Sequence, residues 1–481
     1  MPFQKLWPFF CVHLSVPSPI KFLAMSKFPF LLLFLSVSLF AQSVHDALEA
    51  STKRLLSTSA AKSASLSVMV SDISGNTVFE LDADKGLASA STQKIFTAAA
   101  ALHTLGADYR WKTTLSYSGE LKDGVLDGDL IISSNGDPTL GSWRYEGYKP
   151  ENFLSAVSKA VSEKGIKEVK GKLLIDDSQF DIQTVPGGWP WNDIGNYYGA
   201  GVFGVNWREN QFDISTTGKT IKGYNVPLPG VEWVNELSTG GSSDNSLIYT
   251  APYSTKAYIN GMLPSKNMTI SGSTPNPPIV LAAELIEQFK KNGINIKGGY
   301  TSSALEKFAS GNYPQINKKN QFFTYESPTL DKVVYWFLRK SVNFYGETLV
   351  KTMALEKTGD PSFESGIKFL KDFWKSKGIN PVLINFMDGS GLSPQNYVAS
   401  RAQVEALLWA RKQSWYSDFY EGFPTQGNGM KMKSGTMKNT KSFAGYHKSK
   451  RGKEYVFSVL LNNYQASDLS QALYNVLAPL K

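Results

Sequence analysis

Residues Ala88–Leu102 read ASASTQKIFTAAAAL, a small and apolar run broken by one lysine, Lys94. The alanines, with Ile95, Phe96 and Leu102, predict a buried helix. A buried ammonium is costly unless it is paired or deprotonated. Lys94 follows Ser91 by three residues, and residues three apart share a helix face. The amine therefore reaches the Ser91 hydroxyl. Desolvation by its apolar neighbours lowers its pKa, and a fall from ~10.4 to ~7–8 makes it a usable base. That shift amounts to ~4 kcal/mol of destabilised ammonium, which a fold accepts mainly where chemistry needs it. Ser91, near the helix start, also places its own backbone N–H where an oxyanion can sit.

Outward from this stretch, Leu66, Val68 and Val70 alternate with polar residues, Ser74-Gly75-Asn76 makes a turn, and Thr77 to Leu81 returns as a hairpin. From about 108 to 316, short alternating runs and frequent turn residues indicate mostly β structure, with helices at AVSKAVSEKG and VLAAELIEQFKKNGI. Helices dominate from 317, and strands return in GMKMKSGTM, SFAGYHK and KEYVFSVLLNNY before a terminal helix. A lone hairpin needs further strands to be stable. The expected fold is therefore α+β: residues 42–111 and 317–481 form one domain, and 112–316 are a β-rich insertion in two subdomains.

The chain has 481 residues, 42% hydrophobic and 19% charged, an ordinary globular composition that predicts two or three domains. Residues 1–41 read as a secretory leader whose true start is Met25: Lys27, a short apolar run from Phe28 to Phe40, then Ala41 as cleavage point. That run is too short to span a bilayer, and no later segment is long enough, so an exported, periplasmic or cell-envelope protein is expected. Cys11, the only cysteine, lies in the leader, which leaves neither disulfide nor thiol chemistry. Removing Lys5, Lys21 and Lys27 lowers the net charge from +9 to +6. Only the KSKRGK turn at 448–453 is basic, so no nucleic-acid surface is expected.

His45, His103 and His447 stand near no acid or histidine at ligand spacing, and His103 is expected to be a packed core residue. No HExxH, P-loop or GxGxxG is present, which removes the foothold for metal hydrolysis and nucleotide chemistry. Serine activated by lysine remains. Ser365 and Lys368 repeat the spacing, but in an amphipathic helix where the lysine faces solvent.

Ser-x-x-Lys, Ser-x-Asn and Lys-Thr-Gly together mark penicillin-binding proteins and serine β-lactamases. The literal SDN at 243–245 lies in a loop, and the literal KTG at 357–359 ends a helix, so both read as structural. Ser341-x-Asn343, at a break between helices, and Lys433-Ser434-Gly435-Thr436, in a strand near the chain end, have the right contexts and order.

With these motifs, SNGDPTLG at 134–141, NYYGAGVFGVNWREN at 196–210 and DGSGLSPQNYVA at 388–399, the chain resembles class C low-molecular-mass penicillin-binding proteins. These are D-alanyl-D-alanine carboxypeptidase/endopeptidases of the penicillin-binding protein 4 type. The gap of 246 residues between Lys94 and Ser341, which houses inserted domains in that family, fits the resemblance. The resemblance implies a transpeptidase-like domain, an antiparallel sheet flanked by helices. It makes Ser91 the acylated nucleophile, Lys94 its base, Ser341 the proton relay to the leaving amine and Asn343 the amide holding substrate. Lys433 is the orienting cation. Ser434 and Thr436 supply hydroxyls for the substrate carboxylate, and the Thr436 N–H joins that of Ser91 as the oxyanion hole beside Gly435. Serine replaces the usual threonine at 434, and valine replaces aspartate at 342. Peptidoglycan stem peptides are the implied substrate and β-lactams the covalent inhibitors, with no cofactor or metal. A β-lactamase-like hydrolase and a non-catalytic cell-wall binder are the alternatives; the first lacks a Glu-x-x-Leu-Asn motif, the second would not need these residues intact.

Overall fold

Alternating residues of one strand face opposite sides of a sheet. The first hairpin uses both sides. The computed structural model describes residues 43–316 and 318–481, so the expected leader lies outside the described residues. In it, Leu66, Val68 and Val70 join one apolar cluster, while Met69 joins another. The Ser65–Asp72 strand pairs antiparallel with Thr77–Leu81 on one side and with Glu454–Asn462 on the other. Thr440–Lys448 and then Lys431–Met437 complete a five-stranded antiparallel sheet drawn from both ends of the chain. Glu454–Asn462 is buried on both faces: Phe457, Val459 and Leu461 point to one cluster, Val456 and Leu460 to the other.

The first face is covered by the helical segment beginning at Ser43 and by the terminal helix Ser470–Leu477, through Leu48, Leu55, Leu473, Val476 and Leu477. The second is covered by the Lys94–Leu105 helix and by Ser400–Arg411. Every residue from Lys94 to Leu102 is buried, and the alanines let neighbouring helices approach closely. Phe96 meets Trp374 edge-on, with ring centroids 5.3 Å apart, and Phe386 at 5.1 Å. His103 departs from expectation. It lies near the helix end, exposed, with its ring against Phe373 and Trp409, because the apolar face of the helix has by then turned away.

Between these halves, Lys112–Tyr117, Leu130–Ser134 and Leu173–Asp176 build a second sheet, with the Pro150–Glu163 and Pro277–Lys291 helices in the same apolar cluster. Two three-stranded sheets follow, and residues from all these elements, among them Phe153, Ile175, Ile214, Ile259 and Phe289, share that cluster. The β-rich block thus shares a run of buried apolar residues across its sheets. Its end differs: Phe323–Glu326, assigned above to the catalytic part, pairs with Lys112–Tyr117. A strand of four residues is specified by its partner more than by its own pattern, which is why the boundary escaped the sequence.

Phe96→Ala removes the ring that joins the Lys94 helix to Trp374 and Phe386. It is expected to destabilise the chain by about 3–5 kcal/mol in denaturant unfolding. A loss below about 1 kcal/mol would show that this helix is not the core of its half.

Candidate active site

Ala90–Gln93 forms a single 3-10 turn that runs into the Lys94–Leu105 helix, so the Ser91 and Lys94 side chains emerge together. Ser91 is half-buried and Lys94 fully buried. Lys94 Nζ lies 2.8 Å from Ser91 Oγ, 2.6 Å from Asn343 Oδ1 and 2.8 Å from the Ser390 carbonyl oxygen. These three acceptors match the donors of an ammonium, yet burial drives the group the other way. Desolvation brings the Lys94 pKa down to about 7, against the pull of the Asp388 and Glu347 charges. At neutral pH a sizeable share of the amine is free base.

Asn343 begins the Asn343–Thr358 helix, and Ser341 occupies the bend after Leu330–Arg339. Ser341 has φ +60°, a left-handed conformation that costs a non-glycine residue energy and here turns the chain between the helices. The Asn343 amide bridges: its Oδ1 accepts from Lys94 and its Nδ2 donates to the Tyr198 carbonyl at 2.8 Å. The Ser341 hydroxyl has no hydrogen-bond partner among the described residues.

Lys431–Met437 is the edge strand of the main sheet, its outer side meeting Pro424 and Thr425 at one end and the Ser89–Ser91 turn at Gly435. Lys433 is buried and its Nζ donates to the Ser434 carbonyl at 2.7 Å. Burial holds its pKa well below the usual lysine value, reinforced by the charges of Lys94 and Lys441. Ser434 is half-buried, and Thr436 is exposed, its hydroxyl accepting from Lys441 Nζ at 2.9 Å. Gly435 explains how the strand meets the serine. A Cβ there would stand 2.3 Å from Ser442 Oγ, 2.5 Å from the Ser89 carbonyl and 2.9 Å from the Ser91 nitrogen. Only a bare backbone lets the strand edge lie against the turn that carries Ser91. The approach sets the strand backbone beside the Ser91 nitrogen.

The structure thus brings Ser91, Lys94 and Asn343 into direct contact and packs Gly435 against them. Lys94 acts on Lys433 electrostatically and joins no hydrogen bond with it. The literal SDN lies outside regular structure, and Gly359 of the literal KTG is a left-handed helix cap. Sequence reading missed the Ser390 and Tyr198 carbonyls, which any residue type would supply. Two further braces come from the β-rich block. Trp189 Nε1 donates to Asp388 at 2.9 Å, and the buried Glu209 carboxylate accepts from Tyr345 OH at 2.7 Å and from Arg144 Nε at 2.9 Å.

A buried lysine thus stands beside a helix-start serine, with a bridging asparagine and a lysine-bearing edge strand next to them. A model of the D-Ala-D-Ala carboxypeptidase 3 (S13) family matches residues 48–478, and the chain belongs to that family. It is 26% identical to a D-alanyl-D-alanine carboxypeptidase of Actinomadura sp. (strain R39) over 434 residues, 82% of this chain and 77% of that one. It is 25% identical to the D-alanyl-D-alanine carboxypeptidase DacB of Haemophilus influenzae, covering 85% and 86% of the two chains. The fold matches the crystal structure of penicillin binding protein 4 (dacB) from Haemophilus influenzae, with TM-score 0.72, 23% identity and coverage of 86% and 94%.

Two outcomes follow from this geometry. Because Lys94 is driven towards its neutral form, Lys94→Met should raise the melting temperature near pH 6, where wild type buries a charge. The gain should shrink as pH rises from about 7 towards the unfolded-lysine value, because the folded group has already lost its proton there. A gain that does not vary with pH would refute the buried-charge account. Gly435→Ala should slow acylation of Ser91 by about a hundredfold, measured by stopped-flow binding of a reporter penicillin, and should also lower the melting temperature, because the added Cβ meets the Ser89 carbonyl.

Proposed function

We propose that the chain is a serine D-Ala-D-Ala carboxypeptidase, with D,D-endopeptidase activity on cross-links, acting on peptidoglycan stem peptides through an acyl-enzyme on Ser91. One observation carries this reading: a fully buried lysine amine, depressed to about 7, at 2.8 Å from a half-exposed serine hydroxyl. Family membership supports the substrate class.

In this mechanism the neutral Lys94 amine takes the Ser91 proton as Oγ attacks the carbonyl of the penultimate D-Ala. The backbone N–H groups of Ser91 and Thr436 stabilise the oxyanion. As the tetrahedral species collapses, the C–N bond breaks and the proton on Lys94 passes by way of Ser341 to the departing amine. Water then attacks the ester, giving its proton to Lys94 while Ser91 Oγ recovers one, and the shortened peptide leaves. Asn343 holds the peptide chain. Lys433, with Ser434, Gly435 and Thr436, receives the substrate carboxylate, whose charge favours the lysine's ionised form.

β-Lactams are read as covalent inhibitors. Opening of the lactam ring transfers the acyl group to Ser91 while the amine stays tethered, which hinders water. The structure of the Haemophilus influenzae penicillin binding protein 4 has been determined with a β-lactam. Residues 42–111 and 327–481 are assigned to the catalytic domain and 112–326 to the insertion, a division supported by the pairing of Phe323–Glu326. Export to the periplasm or cell envelope is supported by the leader pattern of residues 25–41, and no described helix is long and apolar enough to cross a membrane.

The test is mass spectrometry of products from a stem pentapeptide ending in D-Ala-D-Ala and from a cross-linked dimer, with Ser91→Ala as control. Loss of one D-Ala from the pentapeptide, and scission of the dimer, is expected with wild type alone. Turnover of neither substrate by folded protein would overturn the reading, and so would equal turnover by Ser91→Ala.

A further inference from the structure

The proposed mechanism leaves one buried acid without a task. Glu347 lies one helical turn after Asn343, on the same face, and is wholly buried. Its Oε2 accepts from the Gly389 backbone N–H at 2.9 Å. The next residue of that segment provides the Ser390 carbonyl that receives Lys94 Nζ. The Gly389 carbonyl in turn accepts from Thr97 Oγ1 at 2.6 Å, one turn along the Lys94 helix. A single carboxylate oxygen therefore stands one residue away from a direct ligand of the candidate base.

The backbone is built to make this contact. A Cβ on Gly389 would stand 2.4 Å from the Gly346 carbonyl oxygen, and one on Gly346 would stand 3.1 Å from the Gly389 carbonyl. Helix and loop thus touch main chain to main chain, which sets Glu347 at hydrogen-bond distance from Gly389. Beyond Ser390, a Cβ on Gly391 would stand 2.0 Å from the Ala90 carbonyl, so the loop also abuts the residue before Ser91. Asp388 anchors the other end by accepting from the Gly391 and Ser393 amides at 2.7 and 2.6 Å. The buried Ser390 hydroxyl faces the Glu347 carboxyl and favours its ionised form against the burial that opposes it.

We propose that Glu347 is a positioning residue for Lys94, holding the Ser390 carbonyl against the amine through Gly389 and sharing the amine's buried enclosure. This rests on the reading of Lys94 as the base for Ser91. The charged groups acting on Glu347 are Asp388 from the loop and Lys94 from the helix, and Lys94 in turn acts on Lys433 of the edge strand. Burial, reinforced by Asp388, favours the neutral acid, while any ionised fraction favours the Lys94 ammonium.

Glu347→Gln and Glu347→Ala separate geometry from charge. Glutamine retains an oxygen for Gly389 N–H, and because burial already favours the neutral acid it leaves the Lys94 titration in place. Acylation by a fluorescent penicillin, followed from about pH 5 to 10, should lose only two- to threefold at the plateau in Glu347→Gln, with its acid limb unmoved. Glu347→Ala releases the loop and should lose more than about tenfold. A loss beyond about tenfold in folded Glu347→Gln, or wild-type acylation by folded Glu347→Ala, overturns the proposal while leaving the Ser91 reading intact. If Glu347→Ala fails to fold, the plateau of Glu347→Gln decides alone. A wild type that is never acylated overturns the Ser91 reading, and this proposal with it.

Discussion

The Lys94 amine is the constraint around which the rest is arranged. A lysine with no exposed surface must be surrounded by acceptors or give up its proton, and this one does part of each. Its three acceptors come from separate places: the turn that precedes its own helix, the bend after Arg339, and the loop at Ser390. Holding them together requires the helix to be buried along its length and the two other segments to be pinned to it. The glycine contacts at 346, 389, 391 and 435 achieve this, since each lets main chain approach where a side chain would intervene.

Backbone strain follows the same geography. Ala90 and Ser341 adopt left-handed conformations at φ +46° and +60°, one on each side of the serine–lysine pair. Arg208, Glu209 and Asn210 do so in succession, at +53°, +52° and +53°, where the β-rich block reaches the Asn343 helix. Such conformations persist only when surrounding contacts over-determine them. At 208–210 those contacts are visible: Asn210 caps the Trp207 amide, Arg208 pairs with Glu284, and Glu209 accepts from Ser142, Arg144 and Tyr345. The insertion therefore contributes to the shape of the site as well as to its surroundings.

Two buried lysines give the site its electrostatic character. Burial depresses both, and the Lys94 charge adds to the depression of Lys433, so the resting enclosure holds less positive charge than its composition suggests. An anionic ligand at the edge strand would restore the Lys433 charge. Binding and ionisation are then linked, and a substrate carboxylate assembles part of the field that later receives its own acyl group.

Much of this was legible in the chain. The Ser91–Lys94 spacing, the apolar run around it, the alternation of the first hairpin and the contexts of Ser341–Asn343 and Lys433–Thr436 all depend on local periodicity, which a sequence carries directly. So did the rejection of the literal SDN and KTG, because helix caps and polar loops have their own residue signatures. Tertiary structure alone decided which backbone carbonyls receive the lysine, that His103 lies at the surface, that Phe323–Glu326 pairs with Lys112–Tyr117, and that Glu347 meets the Gly389 amide. Carbonyl oxygens are common to every residue, a short strand takes its identity from its partner, and a buried acid in a helix looks like any other glutamate until the loop opposite is folded against it.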